Sequence, residues 1–189
     1  DCIIKGTCRK IDVGYCVFRD GEEAKKRYFL MAVNIGLGAE AIEISDQCKH
    51  YWGKRNPTYI LSLFRLFLRR KLFKMQLKVN DEEINERLMT VCVGNSRGYG
   101  LTPSAVPYNG WLDVSVVYRP ELRQLIQGLW MMLRGRILNH KQVKPYRTKK
   151  VTVYETEGAS ICVDGRTLDY KCPVEISLMP EYLNFIVPN

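Results

Sequence analysis

Two glycine-rich stretches are the residues of this 189-residue sequence that most invite a chemical reading. Asn34-Ile35-Gly36-Leu37-Gly38-Ala39-Glu40 follows the apolar run 27–33, and Gly94-Asn95-Ser96-Arg97-Gly98-Tyr99-Gly100 follows the run 87–93. Glycine after a strand permits a close approach of backbone to ligand because no Cβ intervenes. The first stretch lacks G-x-G-x-x-G and no βαβ unit is expected behind it. The second lacks the Lys-Ser/Thr of a P-loop. Neither is a nucleotide cradle by itself, and tight turns are the plainer use of both.

Other side chains narrow the chemistry further. The seven cysteines (Cys2, Cys8, Cys16, Cys48, Cys92, Cys162, Cys172) are odd in number and widely spaced, and no C-x-x-C pair occurs. They read as reduced cytosolic thiols, without the ligand spacing of a zinc site. His50 and His140 are the only histidines, too few to favour a histidine-based triad. The net charge of +9 is concentrated: residues 47–80 hold nine Lys+Arg and no acid, and residues 119–150 hold nine Lys+Arg and only Glu121. Elsewhere acids outnumber bases, so the positive charge is local. A local basic surface favours an anionic partner, nucleic acid or membrane, through an attraction that salt screens. A merely solvated basic face is the simpler alternative.

These residues must be positioned by a β-rich scaffold. Short apolar segments bounded by turn residues recur at 11–18, 27–35, 74–79, 87–94, 111–118, 150–155, 160–163, 173–179 and 183–187. Arg19-Asp20-Gly21, Asn80-Asp81, Asn109-Gly110 and Asp164-Gly165 supply hairpin signals, so most strands should run antiparallel to a sequence neighbour. Residues 150–155 alternate as a half-buried strand does, whereas 27–35 and 87–93 are apolar in both phases and read as central. Two helices interrupt the rhythm inside the basic stretches. One is expected from Pro57 to about Phe73, the other from Pro120 onward with Leu122, Leu125, Ile126, Leu129, Trp130 and Leu133 at helical spacing. They either close the ends of a sandwich, or cover an acyl-chain cavity and touch a membrane with Arg and Lys at headgroup level. The expected fold is mainly β, an antiparallel β-sandwich with two amphipathic helices in insertions. No linker or repeat divides residues 1–189, and no apolar run reaches the roughly 18 to 20 residues of a spanning helix. The opening on Asp1, running soon into strand-like sequence, suggests an excised fragment.

Taken in order, the segments RKIDVG, RYFLMAVNIGLGAEA, VCVGNSRGYGLTPSAVPYNGWLDVSVV, SICVDGRTL and PVEISLMPEYLNFIVP resemble the C-terminal domain of the bacterial diacylglycerol kinase and sphingosine kinase family of lipid kinases. The match runs from roughly Arg9 to Pro188, and its G-N-x-R, P-x-A, G-x-L-D-V and V-D-G elements are specific together. The resemblance implies a β-sandwich that holds a lipid with a free hydroxyl, paired with an N-terminal α/β domain that carries G-G-D-G-T and binds ATP. That motif is absent here, so residues 1–189 are expected to be the lipid-binding domain alone, inactive in isolation. The same resemblance implies Mg²⁺ as cofactor, ATP as co-substrate held mainly by the missing domain, and Gly36, Gly38, Asn95 and Arg97 as substrate-binding positions.

Two departures from the family pattern bear on mechanism. The family keeps an acid directly after V-D-G, as general base toward the lipid hydroxyl; Arg166 stands there, and a guanidinium stays protonated at any working pH. Asp164, Glu155, Glu157 or Asp169 would have to take its place, or Arg166 would pair with a phosphate. In the P-x-A-x-x-x-x-G-x-L-D segment, the family's metal-binding Asp position is Asn109. The implied site is therefore Asn109 with the carbonyls of Val106 and Trp111, supported by Asp113. The expected partners are a hydroxyl lipid, an anionic membrane surface and the chain's own nucleotide-binding domain, at the cytoplasmic face of the inner membrane. Nucleic acid is not expected, because the aromatics lie in apolar strands and the two helices. A lipid-binding regulatory relative that has lost phosphotransfer is the alternative.

Overall fold

The computed structural model describes residues 6–20, 23–52, 71–97, 100–169 and 172–187. Among the described residues, twelve strands form two six-stranded sheets in which every pairing is antiparallel. The strands are β1 (Thr7–Asp20), β2 (Glu23–Phe29), β3 (Ala32–Gly36), β4 (Phe73–Val79), β5 (Glu82–Leu88), β6 (Thr90–Gly94), β7 (Leu112–Val117), β8 (Val143–Thr148), β9 (Lys150–Glu155), β10 (Ile161–Val163), β11 (Arg166–Leu168) and β12 (Val174–Val187). The first sheet has the order β2-β1-β12-β9-β4-β5 and the second β11-β10-β3-β6-β7-β8. Helix α1 (Leu37–Trp52) follows β3, and helix α2 (Leu122–Leu133) lies between β7 and β8.

The alternation of side chains along each strand explains the sandwich. Phe18, Met75, Leu77, Val151, Val153 and Ile176 from the first sheet form one buried cluster with Val33, Ile35, Val91, Val93, Val114 and Val116 from the second. The intervening residues Asn34, Cys92 and Ser115 therefore face the opposite side of the second sheet, yet they too are buried. A second apolar cluster explains this. Leu37, Met89, Val117, Ile137 and Val143 pack with Ala41 and Ile44 of α1 and Leu125 and Met132 of α2, so helices cover part of that outer face. The connection after β6 covers more of it, with Leu101 O accepting the Ser115 hydroxyl at 2.6 Å and Thr102 against Gly94. Covered on both sides, β3 and β6 are buried at all five of their residues, whereas 27–29 and 87–88 lie on the edge strands β2 and β5, where Tyr28 and Arg87 are exposed.

Several expected elements divide differently. The run 27–35 is two strands in different sheets, broken at Leu30-Met31, where the chain crosses from one layer to the other. The run 87–94 breaks at Met89 for the same reason. Conversely, 173–179 and 183–187 belong to one long strand, β12, whose register against β1 slips between Ile11 and Val13 and whose Glu181 takes φ 51°. The helix after Gly36 was not expected, nor were β8 and β11. The helix expected over Pro57 to Phe73 falls mostly on 53–70, outside the described residues, and Phe73 itself begins β4. Asp164 (φ 45°) and Gly165 (φ 86°) form the two-residue β10–β11 hairpin, and Asn80 (φ 55°) opens the β4–β5 hairpin. Asn109-Gly110, in contrast, belongs to the long 95–111 connection.

Candidate functional site

The crossover at Leu30-Met31 leaves two consecutive peptide units outside both ladders, and side chains from remote motifs satisfy them. The Asp164 carboxylate accepts three backbone N–H groups: Leu30 at 2.7 Å on Oδ2, and Met31 and Ala32, each at 2.9 Å, on Oδ1. Its own N–H donates to the Ala32 carbonyl at 3.0 Å. The carbonyls on the other side of the crossover are taken by the G-N-S-R segment. Asn95 Nδ2 donates to Leu30 O at 3.2 Å, Ser96 Oγ donates to Leu30 O at 3.0 Å, and the Asn95 and Ser96 N–H groups donate to Met31 O. An anionic acceptor for N–H groups and an amide donor for carbonyls are the side chains such a junction needs.

Asn95 extends this network into a third motif. It is fully buried and also donates from Nδ2 to the carbonyl of Asp12 at 3.0 Å. Asp12, 1% exposed, sits where the β1–β12 register slips. Its carboxylate accepts the N–H of Gly110 at 2.8 Å and of Glu181 at 2.9 Å, and its N–H donates to Pro107 O at 2.7 Å. The R-K-I-D-V-G, G-N-x-R, P-x-A…G and V-D-G elements thus meet in one hydrogen-bonded region. Asp12 was missed at the sequence level, although a lone acid inside the apolar segment 11–18 is the signal that could have found it.

The remaining candidate residues have separate settings. Gly36 takes φ 89°, and a Cβ there would lie 2.8 Å from the Met89 carbonyl oxygen and 2.9 Å from Met75 Cε. At Gly38 a Cβ would lie 2.7 Å from Thr90 Oγ1, which accepts the Gly38 N–H at 3.2 Å and donates to Ile35 O at 2.9 Å. Both glycines let α1 start tight against the β5–β6 junction. Arg97 is exposed, and its Nε donates to Pro103 O at 2.9 Å, which ties down the P-x-A segment. Arg166 stands exposed on β11, opposite Val163 in register. Of the other carboxylates considered, Glu157 accepts the Lys74 N–H at 2.7 Å, while Glu155 and Asp169 are exposed.

The expected cation position does not present an anionic donor set. Asn109 Oδ1 accepts the Trp111 N–H at 3.0 Å, closing an Asx turn, and Asp113 is paired with Arg147 Nε at 3.0 Å. Val106 lies in the same connection. One neutral amide oxygen and two main-chain carbonyls are a poor set for Mg²⁺, which favours carboxylates. Among the described residues no group of three or more His, Cys, Asp or Glu side chains is placed to hold a metal. The Asp113–Arg147 pair instead forms one wall of a cleft of about 250 Å³ that also contacts Thr102, Ser115 and Tyr146.

Charge and thiol chemistry follow from burial. Burial pushes the Cys92 thiol up to about 12, with the Thr102 hydroxyl opposing, and pushes Cys16 higher still with help from the Asp164 charge. Both are inert thiols at neutral pH. Among the described residues no cysteine is in a disulfide. In the basic stretch 119–150, Lys144 pairs with Glu82, Arg147 with Asp113 and Lys150 with Glu175, whereas Arg119, Arg123, Arg134 and Arg136 are exposed around α2. No described helix is long and apolar enough to cross a membrane.

This arrangement has counterparts among known proteins. A structure from Bacillus anthracis str. Sterne provisionally named a diacylglycerol kinase superposes with a TM-score of 0.71 at 21% identity, covering 100% of this chain and 59% of that one. A second protein of that strain, named a diacylglycerol kinase, gives 0.58 at 15% identity over 97% of this chain and 55% of its own. A third, again provisionally named, gives 0.65 at 18% identity over 95% and 57%. The chain therefore spans little more than half the length of these relatives. At such identities the likeness establishes the fold. No curated protein sequence matches the chain. The model of one family, described as the YegS C-terminal NAD kinase beta sandwich-like domain, matches residues 31–187, which include the crossover, the Asn95 loop and the Asp164 hairpin; the chain belongs to that family.

Proposed function

We propose that this chain is the lipid-holding domain of a two-domain kinase that transfers the γ-phosphoryl group of ATP to the hydroxyl of a diacylglycerol-like lipid. The reading rests on family membership combined with length: the chain corresponds to 59% of a protein provisionally named a diacylglycerol kinase, which leaves room in such a parent for a nucleotide-binding half. In the transfer a phosphate monoester and ADP form, and the lipid hydroxyl gives its proton to a base. Asp164 has its carboxylate engaged by three backbone N–H groups, which suits a positioning residue rather than that base. Arg166, two residues on and exposed, is suited to pair with phosphate oxygens through its planar fork. The domain would sit at the cytoplasmic face of an anionic membrane, with its basic stretch toward the headgroups.

A second reading, a lipid-binding relative without phosphotransfer, is favoured by Arg166 at the family's acid position and by the lack of an anionic cation site around Asn109. The two-domain parent separates them. Incubated with ATP, Mg²⁺ and hydroxyl lipids, it should form a lipid phosphate, while residues 1–189 alone should not. In the active parent, Arg166→Glu should depress turnover more than about tenfold if Arg166 meets the phosphoryl group. A rise would mean that Arg166 occupies a vacant base position, since a positioned base contributes about 10² to 10⁴-fold. No lipid phosphate from the folded parent would leave the binding-only reading.

A further inference from the structure

Helix α2 carries its apolar residues on the wrong side for a helix that only covers a sheet. Its inner side is served by Leu125 and Met132, which pack into the second apolar cluster, and by the buried Gly128, which lies against the His140 ring. Yet Leu122, Ile126, Leu129 and Trp130, at i, i+4, i+7 and i+8, form a second stripe pointing outward, 47%, 57%, 37% and 55% exposed. Arg123 and Arg134 border that stripe beside Trp130, being seven residues before and four after it, and the Arg134 guanidinium lies 3.7 Å over the Trp130 ring.

We propose that this outer stripe of α2 is the element that inserts into the membrane surface, lying in the plane of an anionic leaflet with Arg123 and Arg134 at the phosphates. The inference rests on the membrane reading above and assigns the surface that carries it. Its geometry is that of an interfacial helix: an apolar stripe, a Trp at its margin, and arginines whose stems follow the apolar surface while their heads reach the polar layer. Charge selects the occupant. A second copy docked symmetrically on the stripe would bring its own arginines against Arg123 and Arg134, whereas an anionic bilayer complements them. The helix is also preformed for this use. Glu121 and Gln124 make a reciprocal capping box, the Arg134 N–H donates to Trp130 O and the Gly135 N–H to Met132 O, and His140 Nε2 donates to Gln124 O at 2.9 Å. Little ordering entropy remains to be lost on insertion.

The test uses the 189-residue chain with vesicles of phosphatidylcholine alone and of phosphatidylcholine with 30% phosphatidylserine, read by co-sedimentation across a salt series. Ile126→Gln/Trp130→Gln should lower the partition coefficient by about tenfold or more at every salt concentration, because the loss is of inserted apolar surface. Arg123→Gln/Arg134→Gln should remove most of the preference for the anionic vesicles and flatten the salt dependence. Tyr154→Gln, an exposed aromatic on β9, should bind as the original chain does. Circular dichroism confirms that each variant is folded, and brominated lipid should quench a fluorescence component that Trp130→Phe abolishes. If the original chain binds neither vesicle, the membrane reading and this inference fail together. If it binds but the Ile126/Trp130 variant matches it, or Tyr154→Gln loses as much, the membrane reading survives and α2 is not its surface. Concentration-dependent self-association abolished by the Ile126/Trp130 substitutions would also overturn the inference, in favour of a dimer face.

Discussion

Replacing Asp164 by Asn keeps its size and its tolerance of φ 45° but removes the charge and one acceptor oxygen. In the native hairpin Oδ1 receives the Met31 and Ala32 N–H groups and Oδ2 that of Leu30. An amide set to keep the first two bonds presents its NH₂ to the Leu30 N–H, so one bond is lost outright. The other two fall from charge-assisted strength, about 1.5 to 3 kcal/mol, to the roughly 1 kcal/mol of a neutral pair. Leu30 and Met31 are exposed, so water replaces part of what is lost there, while Ala32 is buried and has no such recourse. The expected cost is about 2 to 3 kcal/mol. For a domain of this size each kcal/mol moves the melting temperature by about 2 to 4 °C, so Tm should fall by about 5 to 10 °C. Thermal and urea unfolding at pH 7 measure it, with Arg166→Ala, its exposed neighbour across the same turn, expected within about 0.5 kcal/mol of the original. If Asp164→Asn lowered Tm by less than about 2 °C, the carboxylate would not be what holds the crossover, and its assignment as a positioning residue would fall.

Asp12→Ala should be costlier, about 3 kcal/mol or more by urea unfolding, because the Gly110 and Glu181 N–H groups would lose the anionic acceptor that the buried Asp12 side chain brings to them. Gly36→Ala combines an unfavourable φ of 89° with a Cβ 2.8 Å from the Met89 carbonyl oxygen, and should destabilise by more than about 1 kcal/mol in the same assay. A thiol reagent at pH 8 should modify the exposed Cys8 in the folded chain and reach Cys16 and Cys92 only on unfolding, as read by mass spectrometry; prompt labelling of Cys92 would contradict its burial. Hydrogen bonds from Lys144 and Tyr146 hold the Glu82 carboxyl below the usual carboxylate range, so its contribution is present at neutral pH and is lost as pH falls through that lowered value. Glu82→Gln should therefore be slightly less stable than the original chain at pH 7 and equal to it at strongly acid pH, and a difference that widened on acidification would reverse the sign.

The sequence determined the all-antiparallel sandwich, because period-two apolar segments punctuated by Asn, Asp and Gly permit little else. It also contained the motifs that mark the family, and the α2 helix from its 3.6-residue period, although Pro120 stands one residue before the Glu121 N-cap rather than inside the first turn. It could not divide 27–35 into β2 and β3. A continuous apolar run is compatible with one central strand, and only the tertiary structure places Phe29 in one sheet and Ala32 in the other. Nor could it give Asp164 its role. A V-D-G turn reads as a hairpin or a catalytic loop, and what makes the aspartate an anchor is a peptide unit 132 to 134 residues away that has no ladder partner. Asp12, Asn95 and Gly110 come together in the same way, through contacts between remote segments that leave no local period behind. The outward stripe of α2 is the counterpart on the surface: the sequence shows Leu122, Leu125, Ile126, Leu129, Trp130 and Leu133 at helical spacing, and which side is buried was decided by the packing of Leu125 and Met132 beside α1 and of Gly128 against His140.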